Sequence, residues 1–166
     1  MIITNLRVNH IKEPKGYRYD PVSFSWKVEE EGEAKEQKTA RIRIKKGKET
    51  VYDSGEDEKA DSLDYPVRFE PEPRCRYDWT VSVTADNGEK AEASSYFETG
   101  KLKEPWQARW ITPGGKTADT DTMAGYILEK TFQVREGKDA RLYICGLGVY
   151  ECYINGRKVG DEYLAP

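Results

Sequence analysis

Tyr77-Asp-Trp-Thr-Val-Ser-Val-Thr-Ala85 is the longest unbroken alternation of apolar and polar side chains in the sequence. Tyr77, Trp79, Val81, Val83 and Ala85 fall on one side of the chain, and Asp78, Thr80, Ser82 and Thr84 on the other. Asn87-Gly88 then ends the run with a turn signal. Strict period two of this kind marks a strand buried on one face of an antiparallel sheet. The same period recurs on either side. Ile2, Thr4, Leu6 and Val8 share a face in the first run; Val22, Phe24, Trp26 and Val28 oppose Ser23, Ser25 and Lys27 in the second. Ala40, Ile42 and Ile44 oppose Arg41, Arg43 and Lys45, a fourth run covers Glu49–Asp53 before Ser54-Gly55, and the last covers 93–99. About seven short strands in about a hundred residues, broken by turn residues, predict a β-sandwich. Tyr77, two residues before Trp79, is placed to pin a corner of that sandwich by bonding backbone.

Residues 101–105, ending in Pro105, read as a linker, because proline discourages a continued strand. Beyond it come Trp106-Gln-Ala-Arg-Trp-Ile111 and a Gly/Thr/Asp-rich loop through Gly125. Strands are expected at 126–134, 140–147, 149–154 and 157–159. Asn155-Gly156 between the last two favours the paired positive φ angles of a type I′ turn, a strong hairpin signal. A hairpin must bury a face against further strands. The expected organisation is therefore a sandwich over 1–100, a linker over 101–105, and the incomplete front part of a second sandwich over 106–166.

The chain has 166 residues, enough for one domain and part of another. Charged residues make up 34% and hydrophobic ones 37%, so the cores are thin and the 11 tyrosines and 4 tryptophans carry much of the burial. Acidic and basic residues, 30 and 27, interleave to a net charge of −3, which leaves no electrostatic footprint for nucleic acid or an anionic membrane. No apolar run approaches the ~18 residues needed to cross a bilayer. The N-terminus shows neither a basic region nor a long apolar one, so no signal peptide is read and a cytoplasmic location is expected, a processed secreted protein being the alternative. Cys75, Cys145 and Cys152 are odd in number, lack metal-ligand spacing, and read as reduced, buried thiols.

Several of these strings, in order along the chain, resemble bacterial α-L-rhamnosidases that carry β-sandwich domains ahead of a helical catalytic barrel. They are Val51-Tyr-Asp-Ser-Gly55, Tyr77-Asp-Trp-Thr-Val-Ser-Val with Asp86-Asn-Gly88, Phe97-Glu-Thr-Gly100 and Trp106-Gln-Ala-Arg-Trp-Ile111. The most specific is Leu147-Gly-Val-Tyr-Glu-Cys-Tyr-Ile-Asn-Gly-Arg-Lys-Val-Gly160, followed by Leu164-Ala-Pro166. The resemblance implies an all-β chain: a fibronectin-III/immunoglobulin-like sandwich, then the first strands of a jelly-roll-like one. It also implies a parent hydrolase acting on rhamnosylated glycosides, releasing terminal α-L-rhamnose with inversion. Inversion needs a carboxylic acid and a carboxylate base about 6.5–9.5 Å apart, with water between them. In the family both belong to the barrel, so no catalytic, cofactor or metal residue is expected here, and the remainder of the parent enzyme is the expected partner.

The other candidates have plain readings. His10, the single histidine, has no visible partner for catalysis or metal and reads as a surface or capping residue. Glu151 alternates with Tyr150 and Cys152 and reads as a solvated or cross-strand-paired carboxylate. Cys145 and Cys152 straddle Gly146-Leu-Gly148, a separation that permits a disulfide, though small buried hydrophobes are the commoner fate. The acidic stretch 29–36 reads as a solvated loop. Trp106, Trp110 and Tyr126 are possible carbohydrate contacts or, on the alternative reading, interdomain aromatics. Three roles fit the whole: an accessory region of a rhamnosidase, a stand-alone carbohydrate-binding module, or a protein-interaction sandwich. Uncovered strand edges over 126–159 further suggest self-association or poor order there.

Overall fold

The computed structural model describes residues 1–29, 36–112, 125–134 and 140–161. The chain divides into two compact units, Met1–Trp110 and Ile111–Pro166. Regular structure among the described residues is all strand, as expected of an all-β sandwich protein.

The first unit holds β1 (Ile2–Val8), β2 (Lys15–Tyr17), β3 (Val22–Glu29), β4 (Gln37–Lys46), β5 (Glu49–Asp53), β6 (Tyr65–Val67), β7 (Arg76–Ala85) and β8 (Lys90–Thr99). One sheet runs β1-β3-β6 and the other β2-β8-β7-β4-β5. Neighbours are antiparallel except β2, which joins β8 in parallel. Residues 77–85, in β7, lie at the centre of the larger sheet. Ile44 pairs with Trp79, Ile42 with Val81 and Ala40 with Val83. Directly opposed residues share a face, and all six are at most 1% exposed. Phe24, Val22, Trp26 and Val8 meet them from the other sheet. The Phe24 and Trp79 rings lie 4.5 Å apart by centroid, while Tyr77 stacks on Phe97 at 5.2 Å and takes Phe69 edge-on. Aromatic volume thus does the filling that a chain with few aliphatics needs. The Trp26 indole N–H donates to Gln37 Oε1 at 3.0 Å, and Gln37 Nε2 donates to the Ala60 carbonyl at 2.8 Å, so this buried donor is satisfied.

β1 departs from its expected face. Ile3 is buried, whereas Ile2 is 41% exposed. Thr4 pairs with Lys27 and Arg7 with Ser25, so three steps on β1 match two on β3. Asn5, at φ 51°, sits in this bulge. One extra residue reverses the in-out parity; Ile3 therefore points inward before the bulge and Val8 after it. β2 and β6, three residues each, were not legible as alternating runs.

In the second unit the described strands are β9 (Tyr153–Ile154) and β10 (Arg157–Lys158), joined through Asn155 at φ 49° and Gly156 at φ 75°. This is the I′ hairpin expected from Asn-Gly, shorter than its flanking runs. The strands expected at 126–134 and 140–147 are not formed. Ile127 is 95% exposed and Leu147 87%. Alternation supplies an apolar face, but a strand is fixed only when a neighbour takes its backbone groups. The residues of the acidic loop at 30–35 and the Leu164-Ala-Pro166 string lie outside the described residues.

Candidate functional site

Two of the strings singled out in the sequence act as fasteners in the first unit. At the end of β5, Asp53 accepts both arms of the Arg41 guanidinium, at 2.8 and 2.6 Å, and also the Gly55 N–H at 3.0 Å. The hydrogen bonds from Arg41, outweighing the opposing effect of desolvation, hold the Asp53 carboxyl down at about 2. Ser54 Oγ accepts the Ile42 N–H at 2.9 Å. The Val51-Tyr-Asp-Ser-Gly55 string therefore ties the edge strand to β4.

At the end of β8, Thr99 Oγ1 donates to the Glu72 carbonyl at 2.6 Å and accepts the Cys75 N–H at 2.9 Å. Tyr77 performs the expected corner role: its hydroxyl accepts the Glu72 N–H at 2.8 Å. Burial first, and then nearby negative charge, push this phenol above its usual range. A Cβ on Gly100 would stand 2.3 Å from the Gly16 carbonyl oxygen, so glycine is what lets β2 close on the end of β8.

The three aromatic candidates are all exposed: Trp106 52%, Trp110 68% and Tyr126 58%. Trp106 and Trp110 belong to the first unit and Tyr126 to the second. The Lys101 ammonium lies 5.2 Å from the Trp106 ring centroid.

His10 is exposed in a turn at φ 65°, where its carbonyl accepts Arg7 Nη1 at 2.9 Å. Glu151 is paired across the hairpin, accepting Lys158 Nζ and the Tyr153 hydroxyl, each at 2.8 Å. These bonds, Lys158 first, lower its carboxyl. The three cysteines are free thiols; Cys75 and Cys152 are half-buried and Cys145 is exposed. The expectation of buried thiols is thus met in full at none of the three, and it fails outright at Cys145, because 140–147 forms no packed strand. Among the described residues, no three His, Cys, Asp or Glu side chains are grouped to hold a metal. An open groove of about 800 Å³ lies beside β1 and β3, with Arg7, Lys27, Asp61 and Leu63 on its walls.

The model of the Rha78A-like N-terminal immunoglobulin domain matches residues 3–103. The chain belongs to this family. The α-L-rhamnosidase N-terminal domain model matches residues 135–166, which include the Asn155-Gly156 hairpin. An α-L-rhamnosidase of Formosa agariphila is 31% identical over 86% of the chain, and one of Streptomyces avermitilis 26% over 74%. The chain spans 18% and 13% of these two proteins' lengths. The crystal structure of the Streptomyces avermitilis α-L-rhamnosidase complexed with L-rhamnose overlays on 68% of the chain with TM-score 0.61 and 27% identity, using 12% of that protein. The Dictyoglumus thermophilum α-L-rhamnosidase shares the fold, with TM-score 0.60 over 68% of the chain at 23% identity. The strings at 51–55, 77–88 and 97–100 are thus fold-bearing pieces of the family's N-terminal immunoglobulin domain, and those at 147–160 and 164–166 fall within the match to the α-L-rhamnosidase N-terminal domain.

Sequence reading passed over the contacts that order residues 101–106, where Arg74, Lys101 and Glu104 come together. Their spacing in sequence carries no period. The available signal was a pair of opposite charges at Lys101 and Glu104 just after the last strand.

Proposed function

We propose that this chain is the non-catalytic, architectural front region of an α-L-rhamnosidase, whose remainder is its partner and carries the chemistry. The parent would release terminal α-L-rhamnose from rhamnosylated glycosides with inversion, in the cytoplasm. The observation carrying this reading is the ordered pair of family matches, at 3–103 and 135–166. The uncovered apolar side chains at 126–134 and 142–159 favour self-association of this chain, through residues 126–159, when it stands alone. The test is purified chain against an aryl α-L-rhamnoside: the expected rate is the uncatalysed one, and turnover that survives rigorous purification overturns the reading.

The half-open faces of Trp106, Trp110 and Tyr126 favour a second reading, in which these rings contact sugar. Titration with L-rhamnose, followed by tryptophan fluorescence and by the same titration of Trp106→Ala with Trp110→Ala, separates the two readings. A saturable signal lost in the double variant supports sugar contact, and a flat response excludes it.

A further inference from the structure

We infer that residues 101–106 are a clasped arm of the first unit, not a free linker, and that Lys101 is the clasp. The arm leaves β8 directly over the turn that precedes β7. Arg74 in that turn donates its N–H to the Gly100 carbonyl at 2.9 Å, and Thr99 N–H donates to the Cys75 carbonyl at 2.9 Å. The chain then reverses: Leu102 takes φ 51°, and the Glu104 N–H closes onto the Lys101 carbonyl at 2.9 Å. A leucine in the left-handed region persists only where its surroundings hold it.

Side chains hold it here. Glu104 returns to the same turn and forms an ion pair with Arg74. The Lys101 ammonium donates to the Pro105 carbonyl at 3.2 Å, lies 3.9 Å from Glu104 Oε2, and rests 5.2 Å from the centre of the Trp106 ring. Its side chain is only 12% exposed. A lysine this enclosed has given up most of its hydration, and the carboxylate, carbonyl and ring face together replace it. The arm thus carries Trp106 to a fixed place with about half of its surface open. Composition around a proline suggests a linker; the contacts instead make the segment a continuation of the sandwich.

Amide hydrogen exchange read by NMR on the whole 166-residue chain tests this directly. The Glu104 amide is expected to exchange at least about tenfold more slowly than in a free peptide. Glu104→Gln should speed it about two- to fivefold, the range open to an ion pair partly in solvent. Lys101→Met keeps the apolar stem, removes the charge, and should move the Trp106 indole N–H resonance. Amides of β7 should be unchanged in both variants, which reports that the sandwich stays folded. Free-peptide exchange at Glu104, or exchange indifferent to Glu104→Gln, overturns the clasp. A Trp106 resonance unmoved by Lys101→Met overturns its seating on Lys101.

Discussion

The stretch 77–85 and the stretch 140–147 have similar inner-face residues but opposite fates. Trp79, Val81 and Val83 are at most 1% exposed, whereas Leu142 is 55% and Ile144 47% exposed. The difference is company. β7 has β4 on one side and β8 on the other, and Phe24 of the second sheet lies over its tryptophan. Residues 140–147 have no ladder partner among the described residues. Period two states which side chains could be covered; a neighbouring strand and an opposing sheet determine whether they are.

The largest effect is expected at Trp79. Trp79→Ala removes a fully enclosed indole between Phe24 and the Ile44 strand, and should cost roughly 3–5 kcal/mol, enough to unfold or nearly unfold the first unit. Denaturant titration of Met1–Trp110 checks it, and a loss under about 1 kcal/mol would contradict the packing described. Gly100→Ala should cost less, about 1–3 kcal/mol, by forcing a methyl group against the Gly16 carbonyl. Its mark is selective: exchange should quicken in β2 while β7 stays protected.

Much of this was legible. Ala40, Ile42, Ile44 and the 77–85 run gave the core directly, because an uninterrupted alternation in a central strand keeps its parity from end to end. β1 was misread because a bulge at Asn5 leaves no mark in the pattern beyond one polar residue among several. β2 and β6 are too short to show a period. Tyr77 and Asn155-Gly156 were read correctly, since each acts through local backbone geometry. The 126–134 and 140–147 runs alternate in sequence without forming strands, because alternation gives no information on whether a partner is present. Trp106 and Trp110 stand out in the sequence as aromatics, but the Lys101 clasp depends on a turn of the chain that no spacing encodes.

Smaller effects sharpen the contrast. The Asp53 carboxyl is lowered from its ordinary 3.8 to about 2 in the fold, chiefly by Arg41. A lowered carboxyl adds stability that is fully present above the unfolded value and disappears as pH falls through the folded one. The first unit should therefore lose this contribution between about pH 4 and pH 2. Asp53→Asn should flatten that acid limb in thermal melts and leave the rest of the profile alone. At the far end of the scale, Ile144→Ser should change the melting of the first unit, and of the whole chain, by no more than about 0.5 kcal/mol. In a packed strand the same substitution would cost several times more.

Residue-resolved amide exchange on dilute, monomeric chain tests the contrast between the two stretches most directly. Slow exchange is expected throughout β4, β7 and β8, with protection among the described residues of the second unit confined to the Asn155-Gly156 hairpin and rapid exchange over 126–134 and 140–147. Uniformly slow exchange through 140–147 in the monomer would mean that the second unit covers its own apolar faces, and would contradict the account.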